Sequence, residues 1–504
     1  MISLNMLVSV VKASFVMGCR LQITAQSLCQ YGVIPKDILM KLIVIGAGPG
    51  GYAAAFAAAK HMEVVLVERD QLGGTCLHRG CIPTKTLRAS ADALVMAGRF
   101  KEFGLSGGAA PVADMPAIVA RKDKITATLA GGLEKTASSL GVRVLKGQAT
   151  LTGPSSVRVV TAEGQEVLMA DAIVLATGSS PLELPGLPVD HKTVITSDDA
   201  LNLQSVPDSM LIVGGGVIGC ELACIFRAFG SRVTVVEGQD RLLPMPSVDE
   251  DISRLLLREM KKKGIAVELG KTVSEVVPQE QGVMVRIGGS PFVTCATPPE
   301  PKTVQASCMC VTVGRTANSF GLGLENVGIR TDARGWIEVN AALETSVSGI
   351  YAIGDALGPK HIMLAHMATA EAHTVVHNLL HPEDKHTQRY DIVPSAVFTE
   401  PEIGEVGLTE AQAREHGFNV RATTLQLREL GKAQAMGALA GLIKLIADAD
   451  TGKLLGAHIA GAHASDLIAE AVLALQKGCT VAELAETIHA HPTLAEGIYE
   501  AAQR

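Results

Sequence analysis

The strongest constraint on the fold is a unit that the chain contains twice. Lys41 to Gly46 is a short apolar run of β type, and Gly46-Ala47-Gly48-Pro49-Gly50-Gly51 follows at once. Tyr52 to Lys60 is Ala-rich and helix-forming, and Val64 to Glu68 is a second β-type run ending on an acid. The same order recurs from Met210 to Glu237: a strand ending at Val213, then Gly214-Gly215-Gly216-Val217-Ile218-Gly219, a helix through Phe229, and Val233 to Glu237. A glycine pattern alone is weak evidence, but strand, glycine turn, helix, strand and terminal carboxylate together define a parallel βαβ unit with a dinucleotide cradle. Gly46 and Gly214 permit the turn, Gly48 and Gly216 let a pyrophosphate approach the backbone, and Gly51 and Gly219 allow the helix to sit close on its strand. Glu68 and Glu237 are placed to accept hydrogen bonds from ribose hydroxyls. A carboxylate at Glu237 also repels a 2′-phosphate, and Gly238, Gln239 and Asp240 offer no cation to offset it, so NAD is expected over NADP despite Arg241 nearby.

Just downstream of the first unit lies Gly73-Gly74-Thr75-Cys76-Leu77-His78-Arg79-Gly80-Cys81-Ile82-Pro83-Thr84-Lys85. Two cysteines separated by four residues can close a small disulfide ring, and a paired Cys motif is also a common metal half-site. No second Cys pair or Cys/His cluster supplies further ligands, and the setting beside a dinucleotide unit favours a redox disulfide over a structural or metal role. Pro83 suits the first turn of a helix starting at Cys81, where the macrodipole favours a thiolate.

A chain of 504 residues, 47% hydrophobic, can bury several cores and suggests three or four domains. The net charge of -7, with no basic block or stripe, argues against nucleic acid as the main partner. Ten cysteines are scattered, and Cys220, Cys224, Cys308 and Cys310 sit in apolar patterns that read as buried thiols, which suits a reducing, cytoplasmic compartment. Met1 to Cys29 is apolar, but Lys12 and Arg20 interrupt it and no basic region precedes it, so it reads neither as a secretory signal nor as a membrane span. Val16-Met17-Gly18-Cys19 bears a faint likeness to a lipoprotein cleavage box. Residues 1–39 are taken as an extension, disordered or reflecting a start placed too early, and no membrane association is expected.

Gly-Gly-Thr-Cys, four residues, then Cys-Ile-Pro-Thr-Lys resembles the active-site signature of the flavin-dependent pyridine nucleotide-disulfide oxidoreductases. The later motifs are similar to those of the dihydrolipoamide dehydrogenases and keep that family's order from Met40 to Glu496. The resemblance implies an α/β fold with two Rossmann-like dinucleotide-binding domains and a C-terminal α+β dimerisation domain. Its parts would be an FAD domain with the redox disulfide over 40–185, an NAD domain over 186–316, a central domain completing the FAD site over 317–388, and an interface domain over 389–504.

Within that frame Thr177-Gly178-Ser179-Ser180-Pro181 resembles the crossing out of the FAD domain, and Gly314-Arg315 the return. Gly349 to Asp355 resembles the family's second FAD motif, with Asp355 on the ribityl chain. Leu364-Ala365-His366-Met367-Ala368 opens a helix facing the flavin, with His366 read through its backbone. The FAD set is then Gly46, Gly48, Gly51, Glu68, Gly74, Thr75, Lys85, Thr177, Gly178, Asp355 and Ala365. The NAD set is Gly214, Gly216, Gly219, Glu237 and Gly314, and no metal is expected.

The resemblance also assigns catalysis. His491, directly before Pro492-Thr493, and Glu496 match the family's acid-base pair, which acts on the disulfide of the other subunit and so implies a homodimer. Lys85 and Glu221 match an ion pair beside the flavin, and Cys76 matches the sulfur that exchanges with substrate, leaving Cys81 against the flavin. The implied reaction is oxidation of dihydrolipoyl groups with NAD as acceptor, the partner being a lipoyl-bearing protein of a 2-oxo acid dehydrogenase or glycine cleavage complex. A glutathione-reductase-like reading is weaker because of Glu237. A mercuric-reductase-like reading is weaker because the chain closes on Ala501-Ala502-Gln503-Arg504 without a Cys pair. A non-catalytic NAD/FAD-binding subunit has no physical need for Cys76, Cys81, His491 and Glu496 together. Four features depart from the family pattern: Val217 where some relatives carry a gating Tyr, His78 and Arg79 inside the disulfide ring, a Pro-rich run over Ser290 to Pro301, and a short tail.

Overall fold

The computed structural model describes residues 39–108, 111–294 and 300–504. The expected extension therefore lies outside the described residues up to position 38, as does 295–299 of the Pro-rich run. The described residues divide into two compact units, those within 39–78, 127–180 and 316–388, and those within 79–126, 181–315 and 389–504.

The first unit is built on five parallel strands in the order Ile350–Ala352, Ala172–Leu175, Lys41–Ile45, Glu63–Glu68, Arg143–Lys146. Leu42 to Ile45 and Ala172 to Leu175 are buried at every position. Such continuous apolar runs are what a parallel strand covered on both faces requires. The helix Pro49–Ala58 packs on this sheet through Ala54, Ala55 and Ala58, whose small side chains allow close approach. A three-stranded antiparallel sheet, Gln148–Gly153, Ser156–Thr161 and Gly164–Met169, follows the fifth strand. There Val157 and Val159 are buried while Arg158 is exposed, the alternation of a sheet with one wet face.

The second unit repeats this plan. Its parallel strands run Ala266–Leu269, Arg232–Glu237, Ser209–Val213, Cys308–Val311, Val194–Thr196. A three-stranded antiparallel sheet, Lys271–Gln279, Gly282–Gly289 and Lys302–Ala306, again precedes the strand that returns beside the first. The duplication thus extends beyond the two glycine units to the inserted sheet. The Pro-rich run lies between Gly289 and Lys302, joining antiparallel neighbours.

The same unit carries a five-stranded antiparallel sheet, Ser395–Val397, Ile403–Gly407, Leu454–Ala460, Leu442–Asp448, Val420–Gln426. The helix Ala464–Lys477 lies so close to it that a Cβ on Gly404 would stand 2.3 Å from the Ala464 carbonyl oxygen. No described helix is long and apolar enough to cross a membrane.

A buried polar cluster ties this sheet to the helix Glu250–Lys262. Lys444 Nζ donates to Asp249 Oδ1 at 2.9 Å, Asp251 Oδ2 at 2.7 Å and Glu410 Oε2 at 2.8 Å. Asp249 also caps that helix, and its own N–H donates to Glu405 Oε1 at 3.1 Å. His458, 0% exposed, sets Nδ1 3.0 Å from Glu405 Oε1 and Nε2 3.0 Å from the Leu408 carbonyl oxygen. With acceptors on both sides the ring is held as imidazolium. Burial pushes its pKa down, but the hydrogen bond and charge of Glu405 outweigh this and raise it above the usual 6.5. Stability from this group is present in full below about pH 6.5 and is lost as pH rises through the elevated folded-state value. Thermal melts between pH 6 and pH 9 should fall with pH in the native protein. The fall should flatten in His458→Gln, and an unchanged slope would contradict the assignment.

Candidate active site

The first glycine turn has a geometry that explains each small residue. Gly46 has φ +98°, and a Cβ there would meet the Ala176 carbonyl oxygen at 2.4 Å. A Cβ on Gly51 would stand 1.8 Å from the Gly46 oxygen, whereas one on Gly48 meets nothing within 4 Å. The turn is therefore closed where helix meets strand and open where a ligand would approach. Glu68 spans it, accepting from the Ala47 N–H at 2.7 Å and the Asp70 N–H at 2.8 Å. A Cβ on Gly74 would lie 2.7 Å from Gly48 Cα, and the Gly73 N–H donates to the Ala47 oxygen at 2.8 Å, so the cysteine stretch begins against this turn.

Thr177 and Gly178 follow the strand Ala172–Leu175 in the same unit. Both carbonyls accept from Asn318, Thr177 from its side-chain amide at 3.1 Å and Gly178 from its backbone N–H at 3.1 Å. The buried Thr177 Oγ1 has no hydrogen-bond partner among the described residues. A buried hydroxyl of this kind costs free energy unless a ligand or water completes it. Asp355 accepts from Ser179 Oγ at 2.7 Å, and the neighbouring Gly354 N–H donates to the buried Glu371 at 2.6 Å. Ala365 opens the helix Ala365–Leu380 after an extended Leu364. Gly46, Glu68, Thr177 and Asn318 line one cleft.

The second turn reproduces the first. Gly214 has φ +108°, and a Cβ there would meet the Thr312 carbonyl oxygen at 2.5 Å. A Cβ on Gly219 would be 1.9 Å from the Gly214 oxygen, and one on Gly216 again meets nothing within 4 Å. The buried Glu237 accepts from the Gly215 N–H at 2.5 Å and the Gln239 N–H at 2.7 Å. Each oxygen keeps a further lone pair able to accept another donor. Gly314, with φ +137°, accepts from the Leu182 N–H at 3.0 Å. Gly219→Ala must push helix from strand, an overpacking that should cost ~1–3 kcal/mol. It should also weaken nicotinamide nucleotide binding, and a wild-type melting temperature and NADH affinity in that variant would count against the close-packing account.

Cys76 is the third residue of the helix Gly74–His78, and Cys81 opens the helix Cys81–Gly98 after Gly80. Both sulfur-bearing residues are half-buried, as is Thr75. The charges between them are engaged: His78 Nε2 lies 2.9 Å from the Leu72 carbonyl oxygen, and Arg79 Nε lies 3.8 Å from Asp198. One turn into the helix, Lys85 Nζ reaches both oxygens of Glu221, at 3.1 and 2.9 Å. Glu221, with its side chain 4% exposed, also accepts from the Phe398 N–H at 2.9 Å, and the Lys85 ammonium stands 4.4 Å from the Phe398 ring centroid. A buried carboxylate is tolerated when each oxygen is matched in this way.

Near the C-terminus His491 Nδ1 is 2.8 Å from Glu496 Oε1, and Glu496 Oε2 accepts from the Thr493 N–H at 2.7 Å. These two contacts, the Thr493 N–H first and His491 second, hold the Glu496 carboxyl below its usual range. Nε2 of His491 is thereby left to face outward on a side chain that is 79% exposed. His489 is engaged elsewhere, with Nε2 2.9 Å from Glu470 Oε1 and Nδ1 2.9 Å from the Thr487 carbonyl oxygen.

Sequence reasoning missed Asn318, Glu371, Phe398 and Thr312. Each acts from an element distant in sequence, so no local signal marks it. Ser179 lay inside the quoted Thr177 to Pro181 run, but its bond to Asp355, 176 positions away, had no local signal either.

The chain matches the model of the pyridine nucleotide-disulphide oxidoreductases over residues 40–372 and that of their dimerisation domain over 393–502. It is 41% identical to a dihydrolipoyl dehydrogenase of Chlorobaculum parvum, covering 91% of this chain and 95% of that one. It is 38% identical to one of Bacillus subtilis, covering 92% and 97%. Among solved structures it is similar to LpdA of Mycobacterium tuberculosis, with TM-score 0.84 and 29% identity over 92% of this chain and 99% of that one. It is also similar to the flavoprotein disulfide reductase RclA of Escherichia coli, with TM-score 0.80 and 27% identity over the same shares. With one dinucleotide unit followed by a cysteine pair, a second dinucleotide unit and a C-terminal antiparallel sheet, the chain belongs to the pyridine nucleotide-disulphide oxidoreductase family, alongside the dihydrolipoyl dehydrogenases.

Proposed function

We propose that the protein is a dihydrolipoyl dehydrogenase that oxidises a dithiol at a Cys76–Cys81 disulfide and delivers the electrons to NAD. The observation that carries this reading is the His491–Glu496 hydrogen bond at 2.8 Å. A histidine oriented for proton transfer serves thiol chemistry, whereas hydride transfer between a flavin and a nicotinamide involves no thiol proton for it to move. The open faces at Gly48 and Gly216 and the orphaned Thr177 hydroxyl fit two bound dinucleotides. FAD would be held by Gly46, Gly48, Gly51, Glu68, Gly74, Thr75, Lys85, Thr177, Gly178, Asp355 and Ala365, and NAD by Gly214, Gly216, Gly219, Glu237 and Gly314. Glu237 favours NAD by excluding a 2′-phosphate. FAD, when bound, supplies the two-electron carrier between the dithiol of the protein and NAD.

The residues of the chain account for the disulfide half-reaction. A substrate S–H gives its proton to His491 Nε2, and the thiolate attacks Cys76 sulfur, breaking the Cys76–Cys81 bond and leaving Cys81 as thiolate. The second substrate sulfur then attacks the first, which breaks the bond to Cys76 and releases a cyclic disulfide; the imidazolium protonates Cys76 as it leaves, and His491 takes up the proton of the second thiol. The protein has gained two electrons, one proton on Cys76 and one on His491, with Cys81 as thiolate at a helix N-terminus that stabilises it. Glu496 keeps the ring in register and supports its positive charge.

The active form in this reading is a homodimer in which His491 serves the disulfide of the partner subunit. The matched dimerisation domain supports it, as do Ile488, 97% exposed three residues before His491, and the exposed Leu473. The dithiol would be carried on a lipoyl protein of a 2-oxo acid dehydrogenase or glycine cleavage complex. A reducing cytoplasm suits Cys220, Cys224, Cys308 and Cys310, which are buried thiols with pKa values raised by burial. The deciding experiment is an anaerobic titration of the purified protein with dihydrolipoamide, followed by NAD. Two-electron reduction by the dithiol and stoichiometric NADH formation are expected. Reduction by NADH alone, with dihydrolipoamide inert, would leave the cysteine chemistry standing and reject the substrate.

A further inference from the structure

The sequence reading assigned no metal to this chain, yet three ligand-type side chains converge at the far end of the helix Ala365–Leu380. One ligand atom each from His377, Asp384 and His386 lies within 4.8 Å of the others. The convergence is built by the backbone. Beyond the helix the chain turns back, with the His381 N–H donating to the His377 oxygen at 2.8 Å and the Asp384 N–H to the His381 oxygen at 3.0 Å. The buried Asn378 then clamps the returning segment from both sides. Its Oδ1 accepts from the His386 N–H at 2.7 Å and its amide donates to the His386 carbonyl oxygen at 3.0 Å. Thr374 Oγ1 to Gln388 Oε1, at 2.8 Å, secures the next turn. His377 is itself oriented, with Nε2 2.9 Å from the Asp384 carbonyl oxygen and its ring stacked on that of His386 at 3.6 Å between centroids. His381, one turn on from His377, brings a third imidazole, its ring centroid 4.8 Å away.

We propose that His377, Asp384 and His386 bind a divalent transition-metal ion of the zinc class. Two imidazoles and one carboxylate suit Zn²⁺ and its borderline-soft neighbours, while Mg²⁺ and Ca²⁺ prefer all-oxygen shells. Bonds of about 2.0–2.2 Å require ligand atoms roughly 3.3 Å apart, so the side chains close inward on binding. A metal in the plane of both rings also requires the 15° stack to open, with His377 exchanging its contact to the Asp384 carbonyl for the ion. His386 and Asp384 are exposed and free to rotate, while the Asn378 clamp keeps their backbone in place. The C-terminal end of a 16-residue helix adds a field that favours a cation. Nearby Lys385 is directed to Glu344 at 3.8 Å, which keeps its charge engaged.

The test is Zn²⁺ titration of the untagged, FAD-loaded, oxidised protein against a colorimetric chelator, after removal of adventitious metal. One equivalent per chain is expected, both in the native protein and in a Cys76→Ser/Cys81→Ser background that removes the thiols as competing ligands. His386→Ala and Asp384→Asn should weaken that equivalent by at least the roughly 10–100-fold that outer-shell changes cost at metal sites. Cu²⁺ in the same preparations should show nitrogen hyperfine structure that His386→Ala reduces. Retention of Zn²⁺ unchanged in His386→Ala, or its disappearance in the cysteine background, would overturn the proposal. Both point variants alter exposed side chains, so an unchanged melting temperature separates metal loss from misfolding.

Discussion

Replacing His491 by Gln is expected to lower turnover with dihydrolipoamide and NAD by roughly 10²–10⁴-fold, the range a positioned proton acceptor contributes. Glutamine preserves length and can still reach Glu496, so the loop from Ala490 to Thr493 keeps its hydrogen bonds, but it cannot take a proton from a thiol. Reduction of an artificial electron acceptor by NADH, which bypasses the thiols, should stay near the native rate. The pair of rates distinguishes a lost base from a damaged protein. Glu496→Gln should be milder, since an amide oxygen in its place can still accept from His491 Nδ1 and hold the ring, losing only the negative charge. The Glu496 carboxyl, held below its usual range by the Thr493 N–H and His491, stays ionised as pH falls from 7 to 5. An acid loss of activity in that range that vanishes in Glu496→Gln would therefore contradict the assignment. Turnover by His491→Gln close to the native value would end the acid-base reading altogether.

The two glycine turns were legible because they are local. Gly46 and Gly51 touch each other, as do Gly214 and Gly219, and the spacing that satisfies this contact is written in a few consecutive residues. The wider duplication was not legible. The inserted sheets over 148–169 and 271–306 share topology without a shared motif, since a sheet with one wet face asks only for alternation. The ion pair of Lys85 with Glu221 spans 136 positions, and sequence offered it only through resemblance. Phe398, which holds Glu221 through its backbone N–H and lies beneath Lys85, had no signal, because any residue can donate that hydrogen bond. Asn318 and Glu371 are in the same position: buried polar groups that support a turn from afar. His78 and Arg79 stood out in sequence only as positive charges placed between the two cysteines. In the fold they meet the Leu72 carbonyl and Asp198, partners set by tertiary structure.

Cys81→Ser should remove dithiol oxidation entirely, at least about 10⁴-fold, as loss of a covalent nucleophile does when no other group can take its role. A serine oxygen cannot form or release the disulfide, so neither the first exchange nor the second can complete. The two single variants should fail differently. In Cys81→Ser the remaining Cys76 sits on the short helix Gly74–His78 and should accept a disulfide reagent, giving a mixed disulfide that Cys81 can no longer resolve. In Cys76→Ser the remaining Cys81 opens an 18-residue helix, whose N-terminal field favours its thiolate, and it should react with small alkylating reagents at a lower pH than Cys76 does. Mass spectrometry of the trapped adducts and alkylation rates against pH read both differences. NADH reduction of an artificial acceptor again serves as the control for intact folding. Dithiol turnover in either variant within about tenfold of the native rate would mean that the two sulfurs are not the exchanging pair. The proton-transfer role of His491 would then have to be argued for a different acceptor, since a base without a thiol relay leaves the dehydrogenase reaction with no route for its electrons.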